Sequence, residues 1–97
     1  MEIAKDYLPR LRIQKREGGV ISLLYLDIRL FELHATGKCL RLIHPAMIVE
    51  IRGTKLKLLE SYLSRHLVRS IIEDPSAKAF ADSEEIHIHS IMIQKRD

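Results

Sequence analysis

The sequence of 97 residues lacks several of the features from which the class of a protein is usually recognised. It contains one cysteine, no tryptophan and only 5% aromatic residues. A single cysteine, Cys39, excludes a disulfide within the chain and a zinc site closed by cysteines of one chain. The longest uninterrupted apolar runs, 23–26 and 46–49, have four residues each, whereas a membrane-spanning helix needs roughly 20. The sequence therefore predicts no disulfide framework and no membrane span.

The sequence motifs of several large enzyme classes are missing as well. GxxxxGK[ST], GxGxxG, GxSxG and HExxH do not occur, and the four glycines form no phosphate-binding loop. The acidic residues Asp27 and Glu50 stand beside Arg29 and Arg52 in the strand pattern, which favours cross-strand ion pairs over a pair of acid–base catalysts. We therefore expect a protein that is not an enzyme and holds no cofactor.

Composition predicts a single domain over 1–97, which we expect to be cytoplasmic. Apolar residues make up 46% of the chain and charged residues 30%, as in a folded domain with its own core. Its first seven residues lack the basic flank and apolar block of a secretory signal. The net charge is +3, with 13 basic and 7 acidic residues before Glu73 and 3 and 6 from there on. This asymmetry permits an anionic partner.

Period-two alternation predicts most of the secondary structure as strands. In 10–14, Leu11 and Ile13 point inward, and a turn at 17–19 follows. The run 20–33 reads as a strand with 24, 26, 28 and 30 on one face, interrupted by a bulge or divided into two strands. Further strands are expected over 39–44, 47–53, 67–72 and 85–94.

One amphipathic helix interrupts the strands. Thr54 is a candidate N-cap for a helix over about 54–66, with Leu56, Leu59 and Leu63 on its buried stripe. Asp74 before proline predicts a short helical turn over 74–81. The expected fold class is α+β, a mostly antiparallel sheet of about five to six strands with the helix packed on one face.

Self-association is the first functional hypothesis. The runs 20–33 and 91–93 offer apolar side chains on both faces of a strand, more than one short helix can cover. A homodimer formed by sheet packing or edge pairing would bury them. We therefore expect an interaction or assembly module that forms homo-oligomers and has a protein partner.

Nucleic-acid binding is the alternative hypothesis. A strand face that combines guanidinium and aromatic groups can hold single-stranded nucleic acid. The residues predicted to form it are Arg10, Arg12, Tyr25, Arg29 and Arg41, with Phe31 beside Tyr25.

The five histidines suggest a second alternative. His87 and His89 are two residues apart, and on a regular strand this spacing puts both imidazoles on one face, where they could share a metal ion. His66, at the predicted end of the helix, is expected to cap it.

Overall fold

The computed structural model describes residues 2–75 and 86–96. The described chain forms one short strand, seven strands of four or more residues, a single 3₁₀ turn and one α-helix. In chain order these are β1 (Glu2–Ile3), β2 (Arg10–Gln14), β3 (Val20–Leu24), the 3₁₀ turn (Tyr25–Asp27), β4 (Leu30–Leu33), β5 (Cys39–His44), β6 (Met47–Thr54), α1 (Leu56–Ser64), β7 (Val68–Ile72) and β8 (His87–Lys95).

The strands form two four-stranded sheets. Sheet A has the order β1-β7-β2-β3 and sheet B the order β4-β5-β6-β8. Every pair is antiparallel except β2 with β7, which is parallel. The predicted α+β class is therefore confirmed. The structure differs from the single expected sheet because β3 and β4 belong to different sheets.

The core lies between the inner faces of the two sheets and the helix. Leu11 and Ile13 of β2 are fully buried, as their alternation predicted. The predicted turn after β2 contains Gly18 at φ 96°, a backbone conformation that glycine adopts without a steric penalty. Sheet B contributes Leu40, Leu42, Val49, Ile51 and Ile91, and the helix contributes Leu56, Leu59 and Leu63.

The run 20–33 divides at the 3₁₀ turn, one of the two outcomes expected from its broken alternation. The alternation of β3 continues into the start of the turn, so Tyr25, like Leu23, faces inward and is only 2% exposed, whereas Leu26 is 87% exposed. The Tyr25 hydroxyl donates a hydrogen bond to the Val68 carbonyl, and its ring stacks on His66 with centroids 4.5 Å apart. Ile28 packs against the core, whereas Leu24, Leu26 and Leu30 are exposed. The predicted common face for 24, 26, 28 and 30 is therefore wrong.

The helix begins later than its sequence pattern indicates. Thr54 is the last residue of β6 and pairs with His87, so the N-cap is Lys55, at φ 57° and without a side-chain cap. At the other end His66 has φ 59°. Its amide donates to the Leu63 carbonyl at 2.9 Å and the Leu67 amide donates to Tyr62 at 3.1 Å, the two bonds of a Schellman motif. His66 thus ends the helix through its backbone.

A bulge interrupts the pairing of β6 with β8. Arg52 pairs with Ser90 and Gly53 with Ile88, which leaves His89 as an extra residue. A Cβ atom at Gly53 would lie 1.9 Å from the His87 carbonyl oxygen, so this position requires glycine. The predicted helical turn over 74–81 lies largely outside the described residues. No helix within the described ranges is long and apolar enough to cross a membrane.

Candidate interaction surface

Strand β3 is a free edge of sheet A and carries no charge. Its five residues read Val-Ile-Ser-Leu-Leu, and it pairs only with β2. Val20 is 45% exposed and Leu24 is 39% exposed, and the exposed apolar surface continues through Leu26 and Leu30 beyond the strand. Edge strands of folded proteins are usually protected by lysine, proline or a bulge. Strand β3 has none of these.

The hydrogen-bonding groups of β3 that face away from β2 can be assigned from the ladder. The Lys15 amide donates to the Gly19 carbonyl at 2.8 Å, and the Tyr25 amide donates to the Pro9 carbonyl at 3.0 Å. Because bonded and non-bonded residues alternate along an antiparallel pair, the peptide groups of Val20, Ser22 and Leu24 point to the free edge. No described residue outside the strand pair bonds to them. The edge is therefore open for another strand.

The outer face of sheet A, beside this edge, carries two exposed arginines. Arg10 and Arg12 lie two residues apart on β2, on the face opposite Leu11. Arg12 is in register with Ser22 on one side and Ser70 on the other. Neither arginine has a carboxylate within ion-pair distance in the described part of the chain. We call Arg10, Arg12, Ser22 and Ser70 the arginine face.

The other residues predicted to bind nucleic acid lie elsewhere. Tyr25 is buried in the core and burial raises its pKa to about 12, although the hydrogen bond to Val68 lowers it. Arg41 is in sheet B, 3.7 Å from Glu32, and Arg29 is exposed between the 3₁₀ turn and β4. The structure thus brings only Arg10 and Arg12 together and removes the aromatic group from their face. Phe31 also packs against the core.

The outer face of sheet B is a ladder of alternating charges. Glu32, Arg41 and Glu50 are in register across three strands, and Arg52 lies 3.3 Å from Glu50. With Lys38 these side chains line a shallow concavity of about 400 Å³. Each charge on this ladder has an opposite charge within reach, so it attracts a charged ligand less than the arginine face does.

Cys39 lies in the same concavity, where its thiol donates a hydrogen bond to Glu50 at 3.2 Å. Burial raises the pKa of the thiol, and the bond to Glu50 and its negative charge raise it further. The pKa of Glu50 is lowered, most of all by the hydrogen bond from Cys39. Burial raises this pKa, and the positive charge of Arg52 lowers it further. Because the thiolate is the reactive form of cysteine, this arrangement favours an unreactive thiol.

The two histidines predicted to share a metal differ in their surroundings. His87 is buried and lies 3.7 Å from Asp74, whereas His89 is exposed. The two-residue spacing gives one common face only on a regular strand, and the bulge at His89 breaks that rule. Among residues 2–75 and 86–96, no group of three histidine, cysteine or acidic side chains could hold a metal ion. Metal binding by His87 and His89 stays a prediction.

Glu73 has a role that sequence reasoning missed. Its carboxylate accepts a hydrogen bond from the Arg16 amide at 2.8 Å and another from the Ile91 amide at 2.7 Å. It thereby connects the end of β2 in sheet A to β8 in sheet B. Burial raises the pKa of Glu73, but the two amides and the charges of Lys15 and Arg16 outweigh it, so the pKa is lowered. No local pattern in the sequence signals this long-range contact.

Comparison with protein-family models, with curated proteins and with solved structures finds no match to this chain.

Proposed function

We propose that this protein is an assembly module that forms a homodimer by pairing the β3 strands of two copies. The observation that carries the proposal is the open, uncharged edge of β3, with three peptide groups directed away from the sheet and two exposed aliphatic side chains. An exposed apolar edge of this kind favours aggregation unless another strand covers it. A two-fold symmetric dimer covers it once and leaves no further edge of the same kind.

The sequence of β3 suits pairing with itself. With the two-fold axis at Ser22, Val20 of each copy lies opposite Leu24 of the other, and no like charges meet. In this register the outward peptide groups of 20, 22 and 24 all find partners, because residues of one bonding type face each other in an antiparallel pair. Each hydrogen bond gained contributes about 1 kcal/mol.

Ser22→Pro tests the proposal. Proline is tolerated on an edge strand when its nitrogen faces away from the sheet, so the monomer should fold. The substitution removes the donor at the two-fold axis and places a ring where the second strand must lie. Loss of the two central hydrogen bonds and the steric conflict should weaken dimerisation about 100-fold, equivalent to about 3 kcal/mol. Ser22→Ala is the matched control, since it changes the side chain and keeps the N–H.

Native mass spectrometry and light scattering of the untagged protein are the measurements. We expect wild type and Ser22→Ala at twice 11.3 kDa and Ser22→Pro at the mass of one chain. Ser22→Lys provides a second disruption by charge repulsion at the axis and guards against misfolding of the proline variant. A wild-type protein that is monomeric throughout the micromolar range, or a Ser22→Lys variant that dimerises as well as wild type, contradicts the proposal.

A further inference from the structure

We propose that the arginine face on the outside of sheet A binds nucleic acid through the sugar–phosphate backbone. Arg10 and Arg12 supply the guanidinium groups, and the hydroxyls of Ser22 and Ser70 lie in register with Arg12 on the two neighbouring strands. The proposal concerns a different surface from the β3 edge. Only the joint surface of four arginines in a dimer rests on the proposed function.

The two arginines of this face form no ion pair within the described ranges; Glu2 of β1 is in register with Ser70, two strands away from Arg12. Arg41 and Arg52 on sheet B each have a glutamate within 4 Å, and they gain little from another anion. Within the described ranges no acidic side chain approaches Arg10 or Arg12 to that distance. Two exposed positive charges on adjacent outward positions of one strand, ~7 Å apart, attract an anion and lose nothing inside the protein when they bind it.

The groups on the face indicate which anion fits. The guanidinium fork of arginine matches a phosphate geometrically, and serine hydroxyls are common additional donors to phosphate oxygens. A base-stacking platform is absent, because Tyr25 is buried and none of the described residues on this face is aromatic. The face therefore suits the repeated phosphates of a nucleic-acid backbone, with no preference for unpaired bases.

Pairing of β3 with β3 doubles the face. Antiparallel strands joined across a two-fold axis perpendicular to the sheet keep the same side of both sheets facing the same way. The arginine faces of two copies then lie on one surface. The two β2 strands are three strand spacings, ~14 Å, apart. The dimer thus presents four arginines to one polyanion, whereas a monomer presents two.

Fluorescence anisotropy with a short labelled DNA duplex, and with its single strand, tests the proposal. For a dimer with four phosphate contacts the logarithm of the binding constant should fall against the logarithm of salt concentration with a slope of about −3.6 on duplex DNA. The duplex should bind at least as tightly as the single strand. The double variant R10Q/R12Q should weaken binding at least tenfold at about 50 mM salt and bring the slope close to zero.

R41Q/R52Q is the matched control, because it removes the same two charges per chain from the opposite sheet. It should change the affinity less than about threefold. Equal weakening by both double variants, or no duplex binding by wild type at about 50 mM salt, overturns the proposal. Binding of an acidic protein with no binding of the duplex also overturns it.

The failure of one proposal can be separated from the failure of the other. A wild-type protein that is monomeric and binds duplex DNA with a slope of about −1.8 supports the arginine face and contradicts the dimer. A dimer by mass that does not bind the duplex contradicts only the arginine face. Ser22→Lys and Ser22→Pro alter the arginine face itself, so the oligomeric state in the binding assay is read from the wild type and the R10Q/R12Q protein.

Discussion

Replacing Glu73 by glutamine tests whether one carboxylate fastens the two sheets together. The two oxygens of Glu73 accept amide hydrogens from Arg16 at 2.8 Å and from Ile91 at 2.7 Å, while its own amide donates to the Gln14 carbonyl at 2.9 Å. Glutamine has the same shape but only one acceptor oxygen. Its NH₂ group must face one of the two amides, donor against donor.

The magnitude follows from the surroundings of the two bonds. Hydrogen bonds to a charged group contribute about 1.5 to 3 kcal/mol each. The bond from Arg16 is exposed and that from Ile91 is partly buried, so water replaces the first more readily. We expect Glu73→Gln to lower the free energy of unfolding by about 2 kcal/mol, nearly as much as Glu73→Ala. In a domain of this size that lowers Tm by about 10 °C.

Urea denaturation followed by circular dichroism is the assay, repeated from pH 7 to pH 3. The pKa of Glu73 is lowered in the folded state, so its contribution is complete above the unfolded value of about 4.3 and disappears as pH falls through the lower folded value. The advantage of wild type over Glu73→Gln should therefore shrink in acid. Glu17→Gln, at a glutamate 72% exposed and 3.4 Å from Lys15, should change stability by less than about 0.5 kcal/mol. A Glu73→Gln protein as stable as wild type at pH 7 would refute the reasoning.

Two further substitutions probe the fold. Gly53→Ala forces a methyl group against the His87 carbonyl oxygen, 1.9 Å from the ideal Cβ position, and should cost about 3 kcal/mol by urea denaturation; an unchanged midpoint would show that the bulge relaxes freely. Tyr25→Phe removes the hydrogen bond to the Val68 carbonyl and should cost about 1 to 2 kcal/mol. Because the pKa of Tyr25 is raised to about 12, this difference should be constant from pH 6 to 9 and decrease above about pH 10, where the unfolded tyrosine ionises.

Local periodicity predicted the elements whose environment is uniform along their length. Strand β2 is an example, since one face of Leu11 and Ile13 meets the core and the other meets solvent throughout. The stripe of Leu56, Leu59 and Leu63 is predictable for the same reason. Alternation reports the environment of each residue and not the partner of each strand, so it could not reveal that β2 pairs in parallel with β7.

The candidate sites were predictable only where backbone geometry stays regular. Arg10 and Arg12 share an exposed face because β2 is an uninterrupted strand. Tyr25 is absent from the predicted face because β3 buries its odd-numbered positions and Tyr25 continues that alternation. His87 and His89 are separated because a bulge adds one residue to β8. Both departures are set by tertiary pairing. The contact of Glu73 with Ile91 spans 18 residues and has no local signal.

The free edge of β3 is itself a consequence of the turn at Tyr25. If β3 and β4 had paired with each other as a hairpin in a single sheet, β4 would have covered the edge of β3 that faces away from β2. Instead the turn carries the chain into sheet B, so that β3 ends one sheet and β4 ends the other. Strand β4 carries Glu32, which pairs with Arg41 and places a charge beside its edge, whereas β3 has none. The division of the sheets thus creates two free edges, and the absence of charge on β3 is the reason that we propose β3, and not β4, as the strand that pairs in a dimer.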